Sequence, residues 1–227
     1  MSLPTWLVDL SIAALLIALI SALALLLDIL LRKRQMMPVM KWVWPVTALY
    51  MGPFALWAYY SMQIAPDVSQ QGQQHQKMQQ PFWQIVFKGV THCGAGCTLG
   101  DIIGDWAIFL FGVTLAGIAL WPEYIVDYVL AYALGIIFQY FAIAPMRHLG
   151  VKDGVIAAIK ADTLSLTAFE VGLFGWMALT TFVFFHNQLH PDSPVYWFMM
   201  QIGMVIGFAT SYPMNWWLIS KGIKEKM

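Results

Sequence analysis

Six long apolar runs constrain the fold of this chain more than any other feature. Each run is about 20 residues long and almost free of charge, which is the length that a helix needs to cross the ~30 Å core of a bilayer. Helices satisfy their own backbone amides there. We therefore predict an all-α integral membrane protein with about six spans, at Val8–Leu31, Val43–Ile64, Thr98–Leu120, Tyr124–Ala144, Thr163–Phe185 and Val195–Ser220.

Composition and charge agree with that class of fold. Hydrophobic residues make up 60% of the 227 and charged residues only 11%, whereas a soluble domain carries roughly 25% charged residues. Twelve basic residues balance twelve acidic ones, which argues against nucleic acid as a partner because no basic surface is left for phosphates. The expected partner is the lipid bilayer, with a second copy of the chain or another membrane protein as further candidates.

The basic residues also bear on orientation. Arg147, Lys152, Lys160 and the lysines after Ser220 share one face of the last four spans. Cytoplasmic loops are enriched in such residues, so we expect this face to be cytoplasmic. The expected location is a bacterial inner membrane, with the chain crossing it several times.

The segment Phe82–Gly96 does not fit a simple count of spans. It carries Lys88 and His92, and its 15 residues would reach only about 22 Å as a helix. We predict a re-entrant or interfacial segment here, before the third span.

The C-terminal part contains a probable internal repeat with an offset of about 65 residues. Gly89-Val90, Cys97-Thr98-Leu99 and Asp105 align with Gly154-Val155, Asp162-Thr163-Leu164 and Glu170. Chance similarity between apolar segments is the alternative. The predicted organisation is an N-terminal two-helix addition (1–64), a glutamine-rich polar linker (65–81) and a four-helix core (82–227) built from two repeats (82–150 and 151–222).

The stretch THCGAGCTLGD at residues 91–101 concentrates the side chains that can do chemistry. On a helix, Cys93, Cys97, Asp101 and Asp105 recur every four residues on one stripe. Thiolate and imidazole ligands suit copper(I) or zinc. We predict a metal site formed by His92 and those four residues, with a copper or zinc ion as cofactor or cargo. Buried apolar packing of both cysteines is the alternative.

Three glycines lie beside that stripe, and acidic residues recur in the later spans. Gly96, Gly100 and Gly104 form a ridge of small residues that would let another helix approach closely. Asp162 and Glu170 are expected to line a proton or ion path, because carboxylates within a membrane are usually functional. For Glu170, a structural hydrogen bond to Thr167 or Gln139 is the alternative. Two further acids near span ends, Asp28 and Asp127, are expected to reach headgroups or a neighbouring lysine.

A weaker metal site is predicted at His186 and His190, in a loop. The His-x3-His spacing can hold a metal on a helix, but Asn187, Pro191 and Pro194 indicate irregular chain.

Several motifs resemble a bacterial membrane family known only as a domain of unknown function. They are VWPVTALYMGP (43–53), HCGAGCTLGDIIGDW (92–106), LAYALGIIFQYFAIAPMRHLG (130–150), KADTLSLTAFEVG (160–172) and MQIGMVIGFATSYPMNWWL (200–218). The resemblance implies a four-span core with an N-terminal addition, and it supplies no activity. Domains of this family sometimes accompany copper-oxidase proteins, so the resemblance favours copper as the metal.

The leading functional hypothesis is a membrane protein that binds or translocates a transition metal. A membrane redox protein with haem or quinone, and a non-catalytic assembly or scaffold protein, are the alternatives. The scaffold hypothesis would use glycine ridges such as Gly203-x3-Gly207 as docking seams. An enzyme is disfavoured, because the chain has no nucleophile elbow, phosphate loop or His-Glu-x2-His pattern.

Overall fold

A computed structural model describes residues 3–32, 36–63, 81–186 and 189–225 of the chain. These ranges are helical and contain no β-strand, which confirms the all-α prediction. The helices are α1 (Thr5–Arg32), α2 (Met40–Met51), α3 (Pro53–Gln63), α4 (Phe82–Phe111), α5 (Leu120–Arg147), α6 (Val151–Leu179) with a π-helical extension (Thr180–Phe184), and α7 (Pro194–Ser220).

Four helical segments are long and apolar enough to cross a membrane. They are Thr5–Arg32, Phe82–Phe111, Leu120–Pro145 and Val151–Phe184. A multi-pass membrane protein is therefore supported by length and composition. Helix α7 has 27 residues but falls outside this group, since polar residues such as Gln201, Ser211 and Asn215 interrupt its apolar sequence.

The second predicted span, Val43–Ile64, is divided in the structure. Gly52 adopts a left-handed backbone conformation with φ of 54°, and Pro53 starts a new helix because its ring is incompatible with the preceding helical turn. Helices α2 and α3 have 12 and 11 residues, about 18 and 17 Å. Neither is long enough to cross a bilayer alone, so the expected six spans are not reproduced.

The re-entrant or interfacial segment predicted at Phe82–Gly96 is not confirmed. This segment and the following span form one continuous helix of 30 residues, α4, about 45 Å long. Lys88 and His92 are buried by neighbouring helices and are not exposed to lipid, so their polarity does not prevent a crossing. The second unit behaves in the same way, since α6 begins at Val151, well before the predicted start at Thr163.

Helices α4 and α5 form an antiparallel hairpin with a close glycine seam. A Cβ added at Gly96 would lie 2.9 Å from the Gly135 nitrogen, and one added at Gly100 would lie 2.5 Å from the Ala131 nitrogen. The prediction that the ridge docks a neighbouring helix is confirmed, and that helix is α5. This contact brings the cysteine and aspartate stripe of α4 into the interior of the bundle.

Helices α6 and α7 form the second antiparallel hairpin, in which α6 runs in the same direction as α4. A Cβ added at Gly207 would lie 2.7 Å from the Phe169 carbonyl oxygen. The Gly203-x3-Gly207 seam, which the sequence offers as a docking surface for a partner, is therefore occupied by α6. The first hairpin covers Phe82–Arg147 and the second Val151–Ser220. The predicted division into domains and repeats stays a prediction, and residues 65–80 of the predicted linker lie outside the described residues.

The N-terminal helices pack against the core through aromatic contacts. Trp44 is fully buried, with its ring 5.5 Å from that of Tyr59 and 6.5 Å from that of Phe87 on α4. Asp28 of α1 is not directed at headgroups as expected: it is buried, accepts a 2.9 Å hydrogen bond from Tyr59 and pairs with Arg32. The core of helices α4 to α7 thus has one side covered by α1–α3.

Candidate cation path

The functional candidates of α4 lie on one buried stripe. Cys93, Cys97 and Asp101 have no exposed surface, and Asp105 is 1% exposed. Their spacing of four residues places them one above another along the helix. Because the glycine ridge brings α5 against the adjoining face, the stripe faces the interior between α5 and α6.

At the first position of the stripe, Cys93 belongs to a buried hydrogen-bonded cluster. Its Sγ donates to Asp162 Oδ1 at 2.7 Å and lies 2.8 Å from Ser165 Oγ, both on α6. From the C-terminal tail, the Lys224 Nζ lies 3.3 Å from the same sulfur and 3.6 Å from Asp162 Oδ1. Asn215 of α7 donates to Ser165 Oγ at 2.5 Å. We call this group the inner cluster.

One turn further along α4, the thiol of Cys97 lies against the carboxyl group of Glu170. Asp101 follows and interacts electrostatically with both Glu170 and Asp105. None of the four carboxyl oxygens of Asp101 and Glu170 has a hydrogen bond of ordinary geometry to a described residue. The middle of the bundle therefore holds carboxyl groups from two helices without a compensating cation in the described part of the chain.

The outer end of the stripe meets two acids of α5. Asp105 interacts with Asp127, Glu123 and Tyr196, and these four residues line a cavity of about 10 Å³, enough for about one water molecule. Asp127 Oδ1 lies directly against the backbone of Gly104, where a side chain would exclude it. The glycine ridge therefore also makes room for a carboxyl group.

These residues form a continuous series through the core. We call this series the acid file. From the end near Lys224 (the inner end) to the opposite end (the outer end), it consists of Cys93, Asp162, Cys97, Glu170, Asp101, Asp105, Asp127 and Glu123. One cavity lies near each end of the acid file, and a file residue lines only the cavity at the Glu123 end. An inner cavity of about 420 Å³ is walled partly by the tail residues next to Lys224, and an outer cavity of about 140 Å³ is lined by Glu123, Tyr196 and His190.

The charge balance of the file is unusual for a membrane interior. Asp162 has an ion pair with Lys224, but Asp101, Asp105, Glu123, Asp127 and Glu170 have none with a described basic residue. An ionised carboxylate away from water costs several kcal/mol unless it is neutralised. Each of these groups must therefore hold a proton or share a bound cation.

The structure does not gather the predicted metal ligands into one site. Cys93 and Cys97 are free thiols within the bundle, whereas both ring nitrogens of His92 are buried without a hydrogen-bond partner among the described residues. No three His, Cys, Asp or Glu side chains of the described chain are grouped as a metal site. His92 therefore does not complete a compact site with the two cysteines, because adjacent helical residues point in different directions.

The loop histidines are not arranged as the helical pair that their spacing allows. The helix ends at Phe184, and His186 has a left-handed backbone with φ of 50°. His190 lies with its ring 6.5 Å from that of Phe109 and lines the outer cavity. Among the described histidines only His92 lies within a helix.

The alternative hydrogen bonds proposed for Glu170 are not formed. Thr167 donates instead to the Thr163 carbonyl and contacts the Tyr128 hydroxyl. Gln139 is fully buried, and its amide has no partner among the described residues. Neither of the two expected partners is therefore hydrogen-bonded to Glu170, whose neighbour on α4 is the Cys97 thiol.

Sequence reasoning misses three members of the site. Lys224 is predicted as one of several tail lysines, yet its side chain is fully buried. Asp127 is expected to reach headgroups or a lysine, but it is buried against α4, and Glu123 is not singled out. The spacing of Glu123 and Asp127, four residues apart on α5, is the signal that could identify them, whereas no local signal marks Lys224.

Comparison with known proteins gives one result. The family described as a domain of unknown function (DUF4396) matches residues 82–224, which is the four-helix core together with the tail that carries Lys224. No curated protein and no solved structure matches the chain.

Proposed function

The chain belongs to the DUF4396 family, whose description assigns no activity. From the geometry of the site, we propose that the protein translocates cations across a membrane along the acid file. Protons are carried on the carboxyl groups of the file. All four core helices, α4 to α7, cross the bilayer in this proposal. The end with Arg147, Lys152 and Lys160 faces the cytoplasm of a bacterial cell, according to the distribution of basic residues.

One observation supports this proposal above the others: five buried carboxyl groups in the file have no described basic partner. A structural network would satisfy these groups with hydrogen bonds, since an unsatisfied buried polar group costs about 1–3 kcal/mol. Seven carboxyl oxygens of the file, from Asp101, Asp105, Asp127 and Glu170, have no hydrogen bond of ordinary geometry to a described residue, although Asp105 lies next to Tyr196 and Glu170 next to Cys97. Retaining them is understandable if their task is to exchange protons or cations.

A transition-metal ion is the second candidate cargo, coupled to the same protons. The observation that favours it is the position of both thiols, Cys93 and Cys97, at consecutive turns of the inner half of the file. Thiolates prefer copper(I) or zinc over hard cations. The absence of a compact three-ligand group in the described residues favours passage of the ion over permanent retention.

Purified protein in liposomes tests the proposal. A pH-sensitive dye inside the vesicles reports proton flux under an imposed membrane potential, and a metal-sensitive dye reports entry of copper(I) or zinc. We expect Glu170→Gln and Asp105→Asn to reduce flux by at least about tenfold, since each replaces an exchangeable carboxyl group on the path. Asp9→Asn is the matched control, because Asp9 lies on the exposed side of α1 and its loss leaves flux unchanged.

Substitution of the two cysteines distinguishes a metal cargo from a proton cargo. If a metal is carried, Cys93→Ser with Cys97→Ser abolishes metal entry while proton flux persists. If protons alone are carried, neither metal enters the wild-type vesicles. Wild-type vesicles that pass no cation, or acid-to-amide variants that match Asp9→Asn, would contradict the proposed function.

A further inference from the structure

The C-terminal tail enters the bundle after α7 ends. Gly222 has φ of 71°, a left-handed conformation that reverses the chain and that glycine adopts without steric cost. The amides of Ile223 and Lys224 then donate to the Leu218 carbonyl at 3.0 and 3.3 Å. This turn directs the Lys224 side chain inward, where it is completely buried.

The ammonium group of Lys224 is surrounded by four oxygen or sulfur atoms. Its Nζ lies 3.0 Å from the Gly89 carbonyl oxygen, 3.3 Å from Cys93 Sγ, 3.4 Å from Ser165 Oγ and 3.6 Å from Asp162 Oδ1. These atoms come from α4 and α6, so the group joins the two hairpins. An ammonium group has three N–H donors and no acceptor, and this shell supplies acceptors and one negative charge.

We propose that these four groups form the inner cation-binding site of the acid file, and that Lys224 is its tethered occupant. In this arrangement the lysine blocks the file, and a cargo cation enters only when the tail withdraws. Its role as a block rests on the proposed function, whereas its occupancy of a cation site does not.

The attachment of the tail explains how withdrawal can occur. On the surface, Glu225 pairs with Arg147 of α5, whose side chain is about half exposed, and exposed ion pairs contribute only about 0–1 kcal/mol. Gly222, Ile223 and Glu225 form part of the wall of the 420 Å³ inner cavity. A small movement of residues 222–225 would therefore open the inner cluster to that cavity.

Thiol labelling tests the occupancy without any transport measurement. The chain has two cysteines, so Cys97→Ser leaves Cys93 as the only thiol. With a membrane-permeant maleimide, we expect Lys224→Ala in this background to label at least about tenfold faster, because the side chain that covers Cys93 is gone. Lys221→Ala is the control, since it removes a neighbouring exposed lysine and leaves the rate unchanged.

Chemical rescue then tests whether the vacated space binds a cation. Propylammonium added to Lys224→Ala restores protection of Cys93, whereas propanol, of similar size and without charge, does not. Equal effects of the two compounds, or labelling of Lys224→Ala at the wild-type rate, would overturn the proposal. If Lys224→Ala fails to fold, the double variant Asp162→Asn with Lys224→Ala replaces it, because it leaves no unpaired buried charge. Labelling of that variant no faster than Lys221→Ala would also overturn the proposal.

Liposome flux separates the blocking role from the proposed function. Lys224→Ala is expected to raise cation flux several-fold, and propylammonium to reduce it again. Successful rescue of labelling combined with unchanged flux would reject the block but retain the cation site. Absence of flux in every variant would reject the translocation function itself.

Discussion

The seam between α4 and α5 can be tested with the substitution Gly100→Ala. The new Cβ would lie 2.5 Å from the Ala131 nitrogen, 2.8 Å from its Cα and 3.1 Å from the Leu130 carbonyl carbon. All three are backbone atoms, so the helices must move apart by about 1 Å to reach ordinary contact distance. Overpacking of this kind costs about 3 kcal/mol at the upper end of its usual range. Alanine returns about 1 kcal/mol through its higher helix propensity, so we expect a net loss of about 2 kcal/mol.

The measurement is the free energy of unfolding in mixed micelles with increasing denaturing detergent, followed by circular dichroism. Gly175→Ala is the matched control, because Gly175 is also within a helix but its added Cβ would meet no atom within 4 Å. That variant is expected to be slightly more stable than the wild type, by about 0.5–1 kcal/mol. If Gly100→Ala is as stable as Gly175→Ala, the close approach of α4 and α5 and the position of the acid file between them are both wrong.

Three further predictions concern stability. Asp162→Asn should destabilise the protein by about 3–5 kcal/mol, because it leaves the Lys224 ammonium buried without a counter-charge. A double variant with Lys224→Met should recover much of that loss in the same unfolding assay, and strict additivity would contradict the pairing. Tyr124→Phe should lower the free energy of unfolding by about 1 kcal/mol, since the Tyr124 hydroxyl donates to the Phe174 carbonyl at 2.5 Å. Tyr140→Phe is the control, because the Tyr140 hydroxyl has no hydrogen bond to a described residue. Equal effects of the two substitutions would contradict the contact. Gly207→Ala should reduce stability by about as much as Gly100→Ala, because the added Cβ would lie 2.7 Å from the Phe169 carbonyl oxygen. A neutral effect on stability would contradict the packing of α6 on α7.

The unconfirmed prediction at Phe82–Gly96 shows what hydropathy along one segment leaves out. Lys88 and His92 make this segment too polar for a helix exposed to lipid, so the sequence predicts a re-entrant or interfacial segment. The structure buries both residues among neighbouring helices, and the helix continues to Phe111. Burial inside a bundle depends on contacts that are remote in sequence, and hydropathy along one segment does not contain that information.

The stripe on α4 could be predicted because it depends only on helical geometry. Cys93, Cys97, Asp101 and Asp105 repeat every four residues, and the glycine ridge repeats beside them. Any helix through this segment places the two sets on adjoining faces. The all-α membrane fold follows in the same local way, since long apolar segments in a bilayer must satisfy their own backbone hydrogen bonds.

Only the tertiary structure decided which charges meet. It placed Asp127 in the space left by Gly104, brought Glu170 against Cys97, and turned Lys224 back from the tail to Cys93 and Asp162. The physical reason is range: helix formation and membrane insertion depend on residues within a few turns, whereas the neutralisation of a buried charge depends on a partner whose distance along the chain is not limited. Lys224 and Cys93 are 131 residues apart in sequence, and no local pattern connects them.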